Sequence, residues 1–285
     1  GRVDQLVEHG GSRVTGGTFH AAGHRILRRF AELLGYTPRF SIVDREDSVD
    51  LMGSALADVT PELPSVRAPR PRLLVDLYSF VINTGRALDE VLADRAPQFA
   101  DQGEMMAEVF RRYLERKRRA DLMDFDDLLL NWLLLLTRHA SAREELRRRF
   151  DHILVDEYQD TNRLQADIVD AMLGPERNVM VVGDDAQSIY GFRGAEFDNI
   201  LGFPERHPDC TVLRLETNYR SVPPILALAN ASIARNRRQF AKVLRPERSG
   251  GEMPLELALP TPEAQAAHVA DRLLALREEG YELEE

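Results

Sequence analysis

Ile153-Leu154-Val155-Asp156-Glu157-Tyr158-Gln159-Asp160-Thr161-Asn162 is a short apolar run that stops on two adjacent carboxylates. Val179-Met180-Val181-Val182-Gly183-Asp184-Asp185 repeats the pattern further along. A short, β-rich apolar run reads as a strand buried on both faces, as in a parallel sheet. The polar residues that follow mark where each strand ends. Between the two lies a helical pattern that stops at Gly174-Pro175, a helix-ending pair. Strand, helix, strand is a crossover unit, and it predicts an α/β fold with parallel pairing.

Working outward, the same alternation is expected twice more. Residues 14–19 read as a strand, followed by a helix over 21–34 that Gly35 closes. Residues 211–215 read as a fourth strand, ending in Asn218-Tyr219-Arg220-Ser221, with Pro223 and Pro224 placed for a first helical turn. That helix is expected to run to about Asn236. A strand over 255–259 and a helix over 262–279 follow. Residues 36–123 break the alternation. They are helical in pattern, with a Pro-rich interruption at 60–72, and read as an insertion into the α/β domain. Asp124 then caps a helix over 125–136, with Asp127 in its first turn. That helix is apolar almost all round, so it should be buried.

The bulk properties exclude more than they assign. The chain has 285 residues, 44% of them hydrophobic, enough for two ordinary globular domains. No apolar run is long enough to span a membrane. The single cysteine, Cys210, excludes an internal disulfide and a cysteine-rich zinc cluster, and fits a cytoplasmic setting. A net charge of −10 does not mark a nucleic-acid binder, but a local basic groove matters more than the total. Arg111-Arg112 and the basic run 116–119 can touch phosphates, although such a run more often forms a solvated helix face.

Ligands of open parallel sheets sit at the carboxyl ends of the strands. There, Asp156 and Glu157 can hold Mg²⁺ and take a proton from an attacking water. They can also simply favour the positive end of the next helix. In the second loop Gln187 can contact both a γ-phosphate and a water. Tyr190 and Phe192, beside Arg193, suit stacking on the bases of a single strand, or alternatively core packing. Arg220 can serve as an arginine finger.

Taken together the strings are far more specific. Asp156-Glu157-Tyr158-Gln159-Asp160-Thr161-Asn162 resembles motif II of the UvrD/Rep/PcrA-type superfamily 1 DNA helicases. Residues 183–195 are similar to motif III, and 215–221 to motif IV. Gly17-Thr18-Phe19-His20 resembles the TFHS element, with Ala21 in place of the usual serine. Asp124-Phe125-Asp126-Asp127-Leu128 resembles the DFDDL segment. Phe192 stands where many relatives have Trp, and Ala186 where Asp is common. The order and spacing of these strings match the family along essentially the whole chain.

The resemblance implies a RecA-like parallel sheet. Residues 1–35 and 124–220 would form domain 1A, 36–123 the inserted helical subdomain 1B, and 221–285 the beginning of domain 2A. It implies ATP and Mg²⁺ as cofactors, with Asp156 serving the metal and Glu157 activating water. Gln187 would couple the γ-phosphate to DNA, and Arg193 would lie near the nucleotide. Tyr219 would stack on adenine and Arg220 would contact the γ-phosphate. Tyr190 and Phe192 would stack on bases, and Thr18 and His20 would lie near the DNA backbone. The implied partners are single-stranded DNA and single-strand/duplex junctions, with 3′→5′ movement.

The phosphate-binding pattern G-x-x-x-x-G-K-[ST] is absent from the sequence. In the family it lies upstream of residue 1, and motifs V and VI lie beyond Glu285. The expectation is therefore an internal helicase segment that does not hydrolyse ATP alone. The competing expectation is a non-catalytic DNA-binding or scaffolding module descended from such a motor.

Overall fold

In the computed structural model, residues 14–60, 68–191 and 194–281 are described. The chain divides into two compact units between Thr211 and Val212.

The first unit is mostly helical. Helix α1, Phe19–Phe30, begins where a strand over 14–19 was expected. Gly16-Gly17 weakens a strand, and the Thr18 hydroxyl accepts the Ala21 N–H at 3.2 Å, so helix capping wins over β propensity. Strand β1, Ser41–Ile42, pairs in parallel with β2, Leu122–Met123, and among the described residues four α-helices lie between them in sequence. These are α2 (Arg45–Val59), α3 (Pro71–Thr84), α4 (Leu88–Arg95) and α5 (Gly103–Arg119). They share a core of their own built on Met52, Leu74, Leu77, Leu92, Met106 and Tyr113. The helical pattern expected over 36–123 is thus present among the described residues, flanked by a small strand pair that the periodicity of two-residue strands cannot reveal. Pro71 opens α3 at its first position, where the missing N–H costs nothing.

Helix α6, Phe125–Arg138, starts on the expected cap. Asp124 accepts the Asp127 N–H at 2.8 Å and Asp127 accepts the Asp124 N–H at 3.0 Å, a reciprocal box. Leu129, Trp132, Leu135 and Leu136 then pack with Ile26 of α1, Leu146 of α7 (Ala140–Arg149) and Ile168 of α8 (Arg163–Met172). Each such side chain contributes about 1.5–3 kcal/mol when fully buried.

Strand β3, Ile153–Val155, pairs in parallel with β4, Val179–Val181, with Val155 opposite Val181. Helix α8 makes the crossover. Burial on both faces does not hold: Leu154 and Met180, opposite each other in the register, are 67% and 53% exposed. Among the described residues the strands form three separate two-stranded parallel pairs rather than one continuous sheet. The short helices α9, Phe197–Leu201, and α10, Phe203–Arg206, complete this unit.

In the second unit, strand β5 is Thr217–Asn218 and pairs with β6, Arg245–Pro246. The expected strands over 211–215 and 255–259 do not form. Their apolar residues lack a partner layer, with Leu213 82% and Leu255 82% exposed. Helices α11, Pro223–Ile233, and α12, Pro262–Glu278, lie close to their expected bounds.

The basic run on α5 resolves into paired groups. Arg111 and Arg112 bond Glu108, Arg116 bonds Asp58, and Lys117 is fully buried between Asp124 and Asp127. The Tyr113 hydroxyl donates to Asp124 Oδ2 at 2.7 Å. One ammonium thus serves two buried carboxylates, which leaves a net negative charge in a dry site. Burial first, and the Asp124 charge next, push the Asp127 carboxyl up to about 6, against the pull of Lys117. The folded state therefore binds a proton that the unfolded chain, near 4, does not. The stability this proton carries is full below about pH 4 and is lost as pH rises through about 6. Urea unfolding at pH 5 and pH 7 should show a gain of about 1 kcal/mol at the lower pH from this group, and Asp127→Asn should remove that part of the slope.

Candidate functional site

The parallel register brings the ends of β3 and β4 out on the same side. The Val182 N–H donates to Val155 O at 2.8 Å, and the Tyr158 N–H donates to Val182 O at 2.9 Å. The acid pair and the Gly183 loop therefore leave the sheet as neighbours. Asp156 and Glu157 are both exposed. Glu157 is held in the left-handed region, φ 50°, which costs a non-glycine residue about 1–2 kcal/mol. The Asp156 Oδ1–Glu157 N bond (2.9 Å) and the Asp160 N–Glu157 O bond (2.9 Å) hold it there. Asn162, not the acid pair, caps α8. Glu157 also precedes the single 3-10 turn Tyr158–Asp160, where its side chain makes no cap bond.

Two residues not singled out from sequence complete the constellation. The Gln159 Nε2 donates to Glu157 Oε2 at 2.7 Å, while its Oε1 accepts the Asp184 N–H at 3.0 Å. Asp184 in turn accepts Gln187 Nε2 at 2.9 Å. Glu157, Gln159, Asp184 and Gln187 thus form one hydrogen-bonded run across both loops. The far end of the second loop is tied down too. The Glu196 N–H donates to Thr161 O at 3.0 Å, and Ala195 bridges Asn162.

A third element reaches the same place. Asn162 Nδ2 donates to Asn83 Oδ1 (2.7 Å) at the end of α3, and Asn83 Nδ2 donates to Asp126 Oδ1 at 2.6 Å. Asp126 belongs to the DFDDL-like segment, and its carboxyl is raised, chiefly by burial. His20 packs edge-on against Phe125, ring centroids 5.7 Å apart. Burial lowers its pKa, with Asp126 opposing. Thr18 is exposed and spends its hydroxyl on the helix cap. Tyr190 is exposed rather than part of the core. Phe192 and Arg193 lie outside the described residues. Tyr219 and Arg220 belong to the second unit and are exposed there, and Asn218 Oδ1 accepts the Arg220 and Ser221 N–H groups at 3.0 and 2.8 Å.

For a divalent cation the donor set suits a hard ion. Asp156 offers an exposed carboxylate, and Mg²⁺ on a nucleotide takes one or two carboxylates beside phosphates and waters. Among the described residues no group of three or more His, Cys, Asp or Glu forms a cage.

Residues 1–208 match the family model of the UvrD/REP helicase N-terminal domain. The chain belongs to the UvrD/REP helicase family. It is 36% identical over 287 residues to the ATP-dependent DNA helicase UvrD1 of Mycobacterium leprae, covering 96% of this chain and 36% of that protein. It is 36% identical over 269 residues to UvrD1 of Mycobacterium tuberculosis, covering 92% and 34%. It is 33% identical over 284 residues to the ATP-dependent DNA helicase PcrA of Staphylococcus epidermidis, covering 100% and 38%. The chain spans about a third of the length of these relatives. No helix among the described residues is long and apolar enough to cross a membrane.

Asn162 does two jobs, capping α8 and bridging to Asn83. Asn162→Ser should keep the cap and lose the bridge, whereas Asn162→Ala loses both and should cost about 1 kcal/mol more, measured by urea unfolding of the two variants.

Proposed function

We propose that this chain is the motor segment of an ATP-dependent DNA helicase that couples ATP hydrolysis to 3′→5′ movement on single-stranded DNA and to duplex unwinding at single-strand/duplex junctions, in a cytoplasmic setting. The observation that carries the reading is the hydrogen-bonded run from Glu157 through Gln159 and Asp184 to Gln187. It joins a carboxylate suited to activating water to a loop whose exposed Tyr190 suits base stacking. A motor needs that linkage, and a passive binding module does not.

In this reading residues 1–35 and 124–220 belong to RecA-like domain 1A, 36–123 to subdomain 1B and 221–285 to domain 2A. Asp156 holds nucleotide-bound Mg²⁺, which when bound neutralises phosphate charge. Glu157 accepts the proton of the attacking water, and Gln187 lies between γ-phosphate and loop. Arg193 serves the nucleotide side, while Tyr190 and Phe192 stack on bases. Thr18 and His20 face the DNA backbone. Tyr219 packs on adenine and Arg220 stabilises γ-phosphate charge, as a rigid guanidinium does.

In the full-length protein, Glu157→Gln should lower single-strand-stimulated ATP hydrolysis by about 10²–10⁴-fold while leaving DNA binding intact. Tyr190→Ala should weaken single-strand binding by about 1–3 kcal/mol. Steady-state hydrolysis and fluorescence-anisotropy titration check the pair. An active Glu157→Gln protein would contradict the assignment.

A further inference from the structure

Gln159 has a neighbourhood that a merely structural glutamine does not need. It is 1% exposed, yet its Nε2 reaches out to the exposed Glu157 carboxylate at 2.7 Å. Its Oε1 takes the Asp184 N–H at 3.0 Å, and its backbone carbonyl accepts the Ser188 hydroxyl at 3.3 Å. A side-chain amide both donates and accepts at this reach. A carboxylate lacks the donor, and a thioether offers at most a weak acceptor.

The opposite loop is shaped around that amide. A Cβ on Gly183 would lie 2.5 Å from Gln159 Oε1, 2.8 Å from Ile200 Cδ1 and 3.2 Å from Gln159 N. Gly183 is not among the positive-φ glycines, so it is required here for space rather than for backbone freedom. Glu157, in its left-handed conformation, takes the hydrogen bond from the residue two positions on. The orientation of its carboxylate and the position of the Asp184 loop are thereby coupled through one side chain.

We propose that Gln159 is a positioning residue: it sets the Glu157 carboxylate and transmits to it the position of the loop that carries Tyr190, so that loop movement gates hydrolysis. This rests on the helicase reading above. Gln159 touches neither nucleotide nor DNA in this scheme, so its loss should change turnover and not binding.

The test uses the full-length protein with Gln159→Met, which removes the bridge, and Gln159→Glu, which keeps the acceptor for Asp184 but removes the donor to Glu157. Gly183→Ala is added to press on the same amide with Gln159 in place. Single-strand-stimulated kcat is expected to fall about 10–100-fold in both Gln159 variants, with the KM for ATP and the Kd for single-stranded DNA within about twofold of the parent, and Gly183→Ala is expected to follow. A purely structural role would instead lower unfolding stability and leave kcat of the folded fraction unchanged. Folded Gln159 variants with parental kcat overturn the proposal while the helicase reading stands. If circular dichroism shows both Gln159 variants unfolded, Gly183→Ala decides: reduced kcat with unchanged KM supports the proposal, and parental kcat overturns it. A parent protein without DNA-stimulated hydrolysis overturns the helicase reading and this proposal with it.

Discussion

Parallel pairing of Val155 with Val181 is the constraint on which the candidate site depends. Because both strands run the same way, both carboxyl ends emerge on one side. The residues that follow, Asp156-Glu157 and Gly183-Asp184, then meet without any special loop. A one-residue slip would turn each side chain to the opposite face and part Gln159 from the Asp184 N–H. The two Val155–Tyr158 contacts to Val182 clamp that register just where the loops begin. The left-handed Glu157 persists because this frame over-determines it.

The helical block is joined to the frame by polar groups and by Ile82 of α3, which packs against both cores. The fully buried members of its core are distinct from those around α6. Lys117, Asp124 and Asp127 fix the exit from α5 into α6, and Asn83 joins the end of α3 to Asp126 and Asn162. Buried polar contacts of this kind have strict geometric demands. They add directional constraints to that apolar contact and hold the block against the acid-pair segment.

Much of this was legible in the residues. The capped α6, the helical character of 36–123, the β3–α8–β4 crossover and the family strings all read directly from pattern and punctuation. Residues 14–19 misled because Thr18 has β propensity and its hydroxyl a stronger use as a cap. Residues 211–215 and 255–259 have strand composition but no partner strand, and pairing is not a local property. The site's end residues were visible as chemistry: Glu157 as a carboxylate at a strand end, Gln187 as an amide in a loop. The link between them was not, because Gln159 and Asp184 look like ordinary turn residues until the register brings them 3.0 Å apart. The one available hint was Gly183, which a tight approach requires.

The claim that both loops form one hydrogen-bonded unit is tested most directly by native-state hydrogen exchange at the Asp184 amide of the unaltered chain. That amide donates to a side chain, not to the sheet, so its protection reports on the link alone. Exchange slowed together with the Tyr158 and Val182 amides is the expected result. Exchange of Asp184 at the rate of a free loop amide, with Tyr158 and Val182 still protected, would show that the two loops move independently and would contradict the coupling.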